Sequence, residues 1–172
     1  GADAAICLGQ SVTLTASGGL SYQWSNGQYT NPVNVSPSQS TTYTVTVTDV
    51  NGCVAVDSVL VNINQLPVAV VSPPQSICFG DTATLTASGG VSYSWSPVGL
   101  TGSVINVNPN SSSVYTVLVT DNNGCTANAQ VNVTVNSNPV VNIPTTFVCT
   151  GTFTTLNAGN AGSSYLWSTG DT

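Results

Sequence analysis

Hydrophobic and polar residues alternate along several short segments of the chain. The clearest segment is Thr42–Asp49, TYTVTVTD, in which tyrosine and valine alternate with threonine. The same alternation runs through Val12–Ser17 and Leu20–Ser25. A period of two in β-branched and aromatic residues is typical of half-buried β-strands. Because no stretch shows the 3.6-residue period of an amphipathic helix, the pattern predicts an all-β protein.

The strand pattern recurs along the chain. LTASGGLSYQWS at residues 14–25 returns as LTASGGVSYSWS at 85–96, and the related LNAGNAGSSYLWS occupies 156–168. The cysteines Cys7, Cys78 and Cys149 are spaced by 71 residues. A fixed period of this kind indicates a tandem array. The predicted domains are therefore three repeats, at residues 1–65, 66–137 and 138–172.

Both ends of the sequence fall inside a repeat. PVAVV at residues 67–71 matches PVVNI at 139–143, but the first repeat has no counterpart of these residues. The third repeat stops about halfway. We therefore expect the first repeat to lack its first strand, the third to be truncated, and the sequence to be a section of a longer array.

Each complete repeat has the strand content of a small sandwich. Six or seven short strands, separated by turns such as DVNG and DNNG, predict an antiparallel β-sandwich. In immunoglobulin lettering, Val12–Ser17 is strand B, Leu20–Ser25 strand C, Thr42–Asp49 strand F and Val54–Ile63 strand G. The predicted fold class is all-β: tandem immunoglobulin-like antiparallel β-sandwich domains, about 71 residues per repeat, arranged as beads on a string.

Aromatic residues recur at matching positions and are predicted to fill the cores of these sandwiches. They alternate with polar neighbours, as inward-facing strand residues do. A domain of this size buries only about 60% of its unfolded-chain surface, so a cross-link would matter for its stability. The predicted core residues are Trp24, Trp95, Trp167, Tyr43 and Tyr115.

The charge composition excludes several classes of function. Lys, Arg, His and Glu are absent, and only 3% of residues are charged, against about 25% in ordinary domains. Without cationic groups the chain cannot displace counterions from nucleic acid or attract an anionic membrane surface. Without His or Glu there is no Ser-His-Asp or Cys-His arrangement, so we expect no enzyme and no cofactor. No apolar run approaches the roughly 18 residues that predict membrane insertion.

The five cysteines indicate an oxidising, extracellular compartment. Pairing within repeats would join Cys7 to Cys53 and Cys78 to Cys125. In the second repeat, strand B runs from near Gly80 to Ser88, about eight residues or roughly 27 Å at ~3.3 Å per residue, and it separates these positions, whereas bridged cysteines need Cα atoms within about 7 Å. The predicted topology therefore favours a Cys7–Cys125 bridge between domains, with Cys53 and Cys149 paired to neighbouring repeats. Pairing within repeats remains the alternative.

The turns before strand G offer a weak calcium site. Asp49 with Asn51, and Asp121 with Asn123, supply oxygen ligands. One carboxylate per turn is poor for a cation that takes six to eight oxygens. An Asx turn is the favoured interpretation, and no metal is expected.

The pattern C-x-G…T-L-T-A…Y-x-W-S…T-Y-T-V-T-V-T-D-x-N-G-C resembles the immunoglobulin-like and PKD-like repeats of Bacteroidota cell-surface proteins, including gliding-motility adhesins and other type IX-secreted proteins. TYTVTVTDVNGC at 42–53 is the most specific part, while the W-x-F-G-D-G signature of PKD domains is missing after Trp24. The resemblance implies a stalk, fibre or adhesin repeat at the cell surface. Its partners would be further copies or repeats of itself, with surface glycan or protein at a tip.

Short motifs mark candidate glycosylation sites. Ser58 and Thr82 lie in the Asp-Ser/Thr-apolar tripeptides at which proteins of this kind are O-glycosylated. Asn34, Asn110 and Asn132 begin N-x-S/T sequons.

The sequence indicates two alternative functions. The first is a structural repeat segment of an extracellular filament or adhesin stalk, stabilised by disulfides. The alternative is a glycan- or protein-binding module, for which Tyr29 and Phe153 are aromatic residues without counterparts in the other repeats.

Overall fold

A computed structural model describes residues 2–143, 145–159 and 162–169 of the chain. These residues form fourteen β-strands and no helix, and hence no helix long and apolar enough to cross a membrane. The strands fall into two groups, called the first unit (residues 4–64) and the second unit (residues 70–136). In chain order they are β1 (Ala4–Cys7), β2 (Val12–Leu14), β3 (Ser21–Trp24), β4 (Val33–Val35), β5 (Thr41–Thr48), β6 (Val54–Asn64), β7 (Val70–Val71), β8 (Gln75–Cys78), β9 (Ala83–Ser88), β10 (Ser92–Ser96), β11 (Leu100–Thr101), β12 (Val104–Val107), β13 (Ser113–Thr120) and β14 (Thr126–Asn136).

The second unit consists of two sheets. One has the order β11-β10-β13-β14-β8 and the other β12-β9-β7. Strand β8 pairs in parallel with β14, whereas β7 pairs antiparallel with β9, so the chain changes sheets between β7 and β8. In immunoglobulin lettering the sheets are A′GFCC′ and ABE. This strand order is that of an immunoglobulin-like sandwich.

The first unit repeats most of this arrangement. Its sheets have the orders β1-β6-β5-β3 and β2-β4. Strand β1 pairs in parallel with β6, as β8 does with β14. The register is the same in both units, with Ala4 opposite Val61 and Gln75 opposite Val133. Among the described residues, the first unit contains no counterpart of β7 or β11.

Each unit has its own hydrophobic core, made by inward residues that alternate with exposed polar ones. Trp24 and Tyr43 are buried in the first core, and Trp95 and Tyr115 in the second. The indole N–H of Trp24 donates to the carbonyl of Thr30 (3.1 Å), and that of Trp95 to the carbonyl of Gly102 (3.0 Å). Both large rings are therefore buried without leaving their one polar atom unsatisfied.

The third tryptophan does not share this environment. Trp167 is only partly buried and belongs to neither core cluster. No strand is formed by the described residues after β14, so no second sheet covers its ring. The core role predicted for Trp167 is therefore not seen in the described structure.

Candidate functional site

A disulfide bond joins the two units. It links Cys7, the last residue of β1, to Cys125, the residue before β14, with 5.5 Å between their Cα atoms. The two residues are 118 positions apart in sequence, and both are buried. Cys53 and Cys78 are free and exposed, so the within-repeat bridges Cys7–Cys53 and Cys78–Cys125 are not formed in this structure.

The strand registers explain why Cys7 lies where the chain leaves the first unit. In the parallel pair β1–β6, Cys7 is opposite Asn64, the last residue of β6. The backbone N–H of Leu8 donates to the carbonyl of Asn64 (2.9 Å), which extends the pairing by one residue. Cys7 is therefore at the end of the unit from which the linker 65–69 starts.

Cys125 lies at the end of the second unit that the linker enters. Strand β7 follows the linker, and its Val70 is opposite Ser88 at the end of β9. Strand β10, which follows β9, begins at the same end, since its first residue, Ser92, is opposite Thr120, the last residue of β13. The turn between β13 and β14, which carries Cys125, is therefore next to the point of entry. The short linker thus brings the exit end of one unit to the entry end of the other.

An Asx turn holds Cys125 in place. Asp121 Oδ1 accepts hydrogen bonds from the backbone N–H groups of Asn123 (2.8 Å) and Cys125 (2.9 Å). The N–H of Asp121 donates to the carbonyl of Cys125 (2.9 Å), and Gly124 has a φ of 78°, which favours glycine. The turn therefore holds both the backbone N–H and the backbone carbonyl of Cys125 by hydrogen bonds to Asp121.

The equivalent turn of the first unit has the same geometry. Asp49 Oδ1 accepts from the N–H groups of Asn51 and Cys53, both at 2.8 Å. Cys53 is exposed, and its thiol is free. The first unit therefore presents, at its own entry end, a cysteine held as Cys125 is held.

These turns give little support to a calcium site at Asp49 with Asn51 or at Asp121 with Asn123. In each turn the carboxylate already accepts two backbone hydrogen bonds. The described residues contain no group of three or more His, Cys, Asp or Glu that could hold a metal ion. Calcium binding, the less favoured interpretation of these turns from the sequence, gains no support from this geometry.

Two further cysteines have free thiols, and Cys78 occupies the position in the second unit that Cys7 occupies in the first. Cys78 ends β8 opposite Asn136, at the end from which the chain leaves the second unit. Cys149 lies after β14, and its carbonyl accepts from the N–H (3.0 Å) and hydroxyl (2.8 Å) of Thr152. Both thiols are exposed.

A groove opens in the first unit between β2 and β6. Its cavity volume is about 360 Å³. Residues 12–17 line it together with Asp57, Ser58 and Val59 of β6, and Ala2 and Ala4 at the start of the chain also line it. The apolar side chains in the groove include Val12, Leu14, Ala16, Trp24, Tyr43 and Val47.

In the second unit, β7 occupies the place of this groove. It lies beside both β9 and β14, which are the counterparts of β2 and β6. Ala69 and Val71 pack against the second core. The sequence signal for the groove was the missing counterpart of residues 67–71, but the residues that line it were not identified from sequence.

Burial also affects one ionisable group of the second core. Desolvation raises the pKa of the Tyr115 phenol above its ordinary value of 10.0. The neutral phenol is therefore the form that the folded unit favours.

The remaining candidate residues are accessible on the surface. The five glycosylation candidates are all exposed: Ser58, Thr82, Asn34, Asn110 and Asn132. The Tyr29 side chain is 68% exposed and its hydroxyl accepts from Gln23 Nε2 (3.2 Å), while Phe153 is fully exposed. Glycosylation at these sites and binding at these aromatic rings stay predictions.

Comparison with known proteins gives no relative by sequence: no family model matches the chain, and no curated protein matches it. Among solved structures, the chain is similar to extracellular domains 3–5 of Drosophila OTK, with 13% identity, a TM-score of 0.43, and coverage of 78% of this chain and 59% of that one. Immunoglobulin domains 1–4 of Sidekick-1 give 13% identity, a TM-score of 0.38, and coverage of 78% of this chain and 47% of that one. DIP-gamma IG1+IG2 gives 13% identity, a TM-score of 0.36, and coverage of 78% and 93%. Likeness at these TM-scores carries no argument about relationship or function, and the immunoglobulin-like assignment rests on the strand order.

Proposed function

We propose that the chain is a structural repeat segment of an extracellular filament or adhesin stalk. In this proposal, immunoglobulin-like repeats of about 71 residues, at 1–65, 66–137 and 138–172, are joined end to end and stabilised by disulfides between neighbours. The role is mechanical, and the protein is not an enzyme. Its location is the cell surface or the extracellular space.

The observation that carries the proposal is the Cys7–Cys125 bridge. It connects two different sandwich units rather than the two sheets of one unit. A bridge inside a domain stabilises that domain, whereas a bridge across a junction also limits how the two domains move relative to each other. Resistance of the junction to pulling and bending is a property that a stalk needs and that an isolated binding domain does not.

The composition supports the same role. The array gains stability from each unit and from its contacts with its neighbours, which suits units too small to be very stable alone. Five cysteines fit an oxidising compartment. The resemblance of residues 42–53 to Bacteroidota surface repeats supports the filament role, with further copies or repeats of the chain as partners.

Binding of a glycan or a partner protein is the alternative function. Its specific support is the exposure of Tyr29 and Phe153, because exposed aromatic rings are common anchors at binding surfaces. Replacing each ring by Ala and measuring retention on a glycan array checks this alternative. Loss of a specific signal in Tyr29→Ala or Phe153→Ala would favour it over the structural role.

Imaging of the native assembly tests the proposed function. Electron microscopy of material purified without reductant should show rods whose axial repeat matches the length of one or two sandwich units. Treatment with a thiol reductant should leave the rods more flexible, because the bridges across the junctions are lost. Isolated globules in the untreated native material would contradict the structural role.

A further inference from the structure

The Cys7–Cys125 bridge creates a short covalent route through both units. Cys7 is the last residue of β1, and Cys125 is followed directly by β14, the last strand of the second unit. A route from β1 across the bridge into β14 bypasses the residues between the two cysteines, which are 118 positions apart in sequence. We call β1, the bridge and β14 the bridge route. The bypassed residues, 8–124, contain the linker and all the strands between β1 and β14.

The bridge route runs in one direction through the two units. Strand β1 is parallel to β6 and reaches the exit end of the first unit at Cys7, opposite Asn64. Strand β14 starts beside Cys125 at the entry end of the second unit and, parallel to β8, ends at Asn136 at the exit end. Because neither strand turns back, tension applied before β1 and after β14 pulls along both strands.

The bridge route is already close to its full length. A β-strand rises about 3.3 Å per residue, and a fully extended chain spans at most about 3.3–3.6 Å per residue. The bridge itself adds 5.5 Å between the Cα atoms of its cysteines. Tension can therefore lengthen this route very little, whereas residues 8–124 would have to unfold before they became taut. The bridge route carries the load for as long as the disulfide is intact.

Neighbouring strands hold both strands of the bridge route in place. Strand β14 lies inside its sheet, with β13 on one side and β8 on the other. Its Val131 and Val133 are buried in the second core. Strand β1 pairs with β6, and its Ile6 packs against the first core. Each unit is therefore attached to one strand of the route, while the rest of the unit lies outside the route.

The fold also shields the bridge from thiols in the solvent. Cys125 is fully buried, and Cys7 is 8% exposed. Thiol–disulfide exchange requires that the attacking thiolate reach a sulfur atom of the bridge. Cys53 and Cys78, which take no part in the route, are exposed. The two cysteines that join the strands of the route are thus the ones that the fold covers.

Without the bridge, tension would act on the folded units themselves. The load would enter the first unit through β1 and leave it through β6, so it would pull these two paired strands in opposite directions. In the second unit it would enter through β7 and leave through β14. The rate of unfolding governs resistance to force, and units of this size have small cores. Each unit would therefore unfold under sustained load and lengthen the chain.

We propose that β1, the Cys7–Cys125 bridge and β14 are the tension-bearing element of this chain, and that residues 8–124 stay folded under load because they lie outside it. The bridge then protects both sandwiches from unfolding by force, in addition to limiting motion at the junction. This inference rests on the proposed function, because tension of this kind arises in a stalk or filament.

Single-molecule force spectroscopy of the full chain tests the proposal. Handles are attached to its two ends, and Cys53→Ser with Cys149→Ser leaves Cys78 as the one free thiol. The bridged chain should show no unfolding step from residues 8–124. The matched variant, Cys7→Ser with Cys125→Ser in the same background, should unfold in steps and reach an extended length greater by roughly 400 Å, from 118 positions at about 3.3–3.6 Å each. Residues after β14 are common to both chains and cancel in the comparison.

A second pulling geometry separates the effect of the route from the intrinsic strength of the units. One handle stays at the start of the chain, and the other is moved to the exposed thiol of Cys78. Both covalent connections from Cys7 to Cys78 then pass through bypassed residues, so the load acts on folded strands. The bridged chain should now unfold at forces comparable with those that unfold the variant without the bridge. Its lengthening should stop at roughly 160 Å, because the connection through residues 78–125 becomes taut.

Two results would overturn the inference. One is unfolding of residues 8–124 in the bridged chain when it is pulled from its two ends at forces that unfold the variant without the bridge. The other is equal resistance of the bridged chain in both pulling geometries, because the units would then be strong without the bridge route. Neither result bears on whether native material forms rods. The proposed function fails separately, if native material consists of isolated globules.

Discussion

The two units have the same strand order but differ in how well their cores are covered. Val117 and Val119 of the second unit are fully buried. Of their counterparts in the first unit, Val45 is 5% exposed and Val47 is only partly buried. Leu85 is fully buried, and its counterpart Leu14 is 6% exposed. All of the more exposed residues line the groove that β7 fills in the second unit. The difference shows that the core of this sandwich is fully covered only where a strand equivalent to β7 lies between the two sheets.

The same strand also affects the length of its neighbour. β9 spans Ala83–Ser88, and its last residues pair with β7. The corresponding strand of the first unit, β2, ends at Leu14, although residues 15–17 repeat the sequence of 86–88. Identical local sequence therefore forms strand in one unit and not in the other. Residues 86–88 pair with β7 on one side, and Thr86 is opposite Val104 of β12 on the other, whereas the position of Val104 in the first unit is held by Pro32, which has no N–H to donate.

The largest expected effect comes from removing a core tryptophan. Trp95→Ala should lower the free energy of unfolding of the second unit by about 3–5 kcal/mol, since it leaves a cavity in a closed core. Trp24→Ala should cost less, because Trp24 already borders the open groove. Chemical denaturation of both variants measures the two losses. Equal losses would show that the groove does not weaken the first core.

The next largest effect concerns the bridge between the units. Cys7→Ser with Cys125→Ser should lower the free energy of unfolding by about 2–4 kcal/mol, because the bridge limits the unfolded chain over 118 positions. The matched control is Cys53→Ser with Cys78→Ser, which removes two exposed thiols and should change stability by less than about 0.5 kcal/mol in dilute protein. Calorimetry checks both pairs. A similar loss in the two double variants would mean that the bridge does not stabilise the junction.

A glycine pair isolates the contribution of the covering strand. Gly18→Ala and Gly89→Ala both place a side chain at positive φ, 94° and 104°. Only Gly89→Ala also collides with the carbonyl of Val68. Gly89→Ala should therefore cost about 1–3 kcal/mol more than Gly18→Ala in denaturant unfolding. Equal costs would indicate that residues 68–71 can move away from β9 freely.

The smallest effect is a dependence of the second unit's stability on high pH. Burial raises the pKa of Tyr115, so the unfolded chain, with a phenol pKa of about 10, loses its proton first as the pH rises. The stability due to this group is complete below pH of about 10 and is lost as the pH rises through the folded-state pKa. Denaturation between pH 8 and 11 should show a shallower decline for Tyr115→Phe than for the parent chain. Parallel declines would show that Tyr115 does not contribute.

Much of the fold follows from local pattern. The strands predicted at Thr42–Asp49 and Val54–Ile63 are β5 (Thr41–Thr48) and β6 (Val54–Asn64), because alternating β-branched residues are decisive where a hairpin turn joins them. The turn itself was visible in DVNG, whose Asp side chain caps the backbone. Local sequence was sufficient for these elements since each pairs with its neighbour in the chain.

Elements that depend on distant partners were not predicted. β1 pairs in parallel with β6, and nothing in the segment AAIC indicates that pairing. The strand predicted over Val12–Ser17 ends at Leu14 in the structure, because the residues after it have neither a β7 counterpart on one side nor, at Pro32, a backbone donor on the other. Trp167 has the sequence context of Trp24, yet no second sheet covers it among the described residues. For the cysteines, the strand topology favoured one pairing, but sequence alone left both open.

The pairing of the cysteines is the most direct test of the account, since the bridge between units is its central claim. Native protein can be alkylated, digested with chymotrypsin or pepsin without reduction, and analysed by mass spectrometry; trypsin has no site in this sequence. The account predicts a linked peptide pair containing Cys7 and Cys125. A peptide pair joining Cys7 to Cys53, or Cys78 to Cys125, would contradict it.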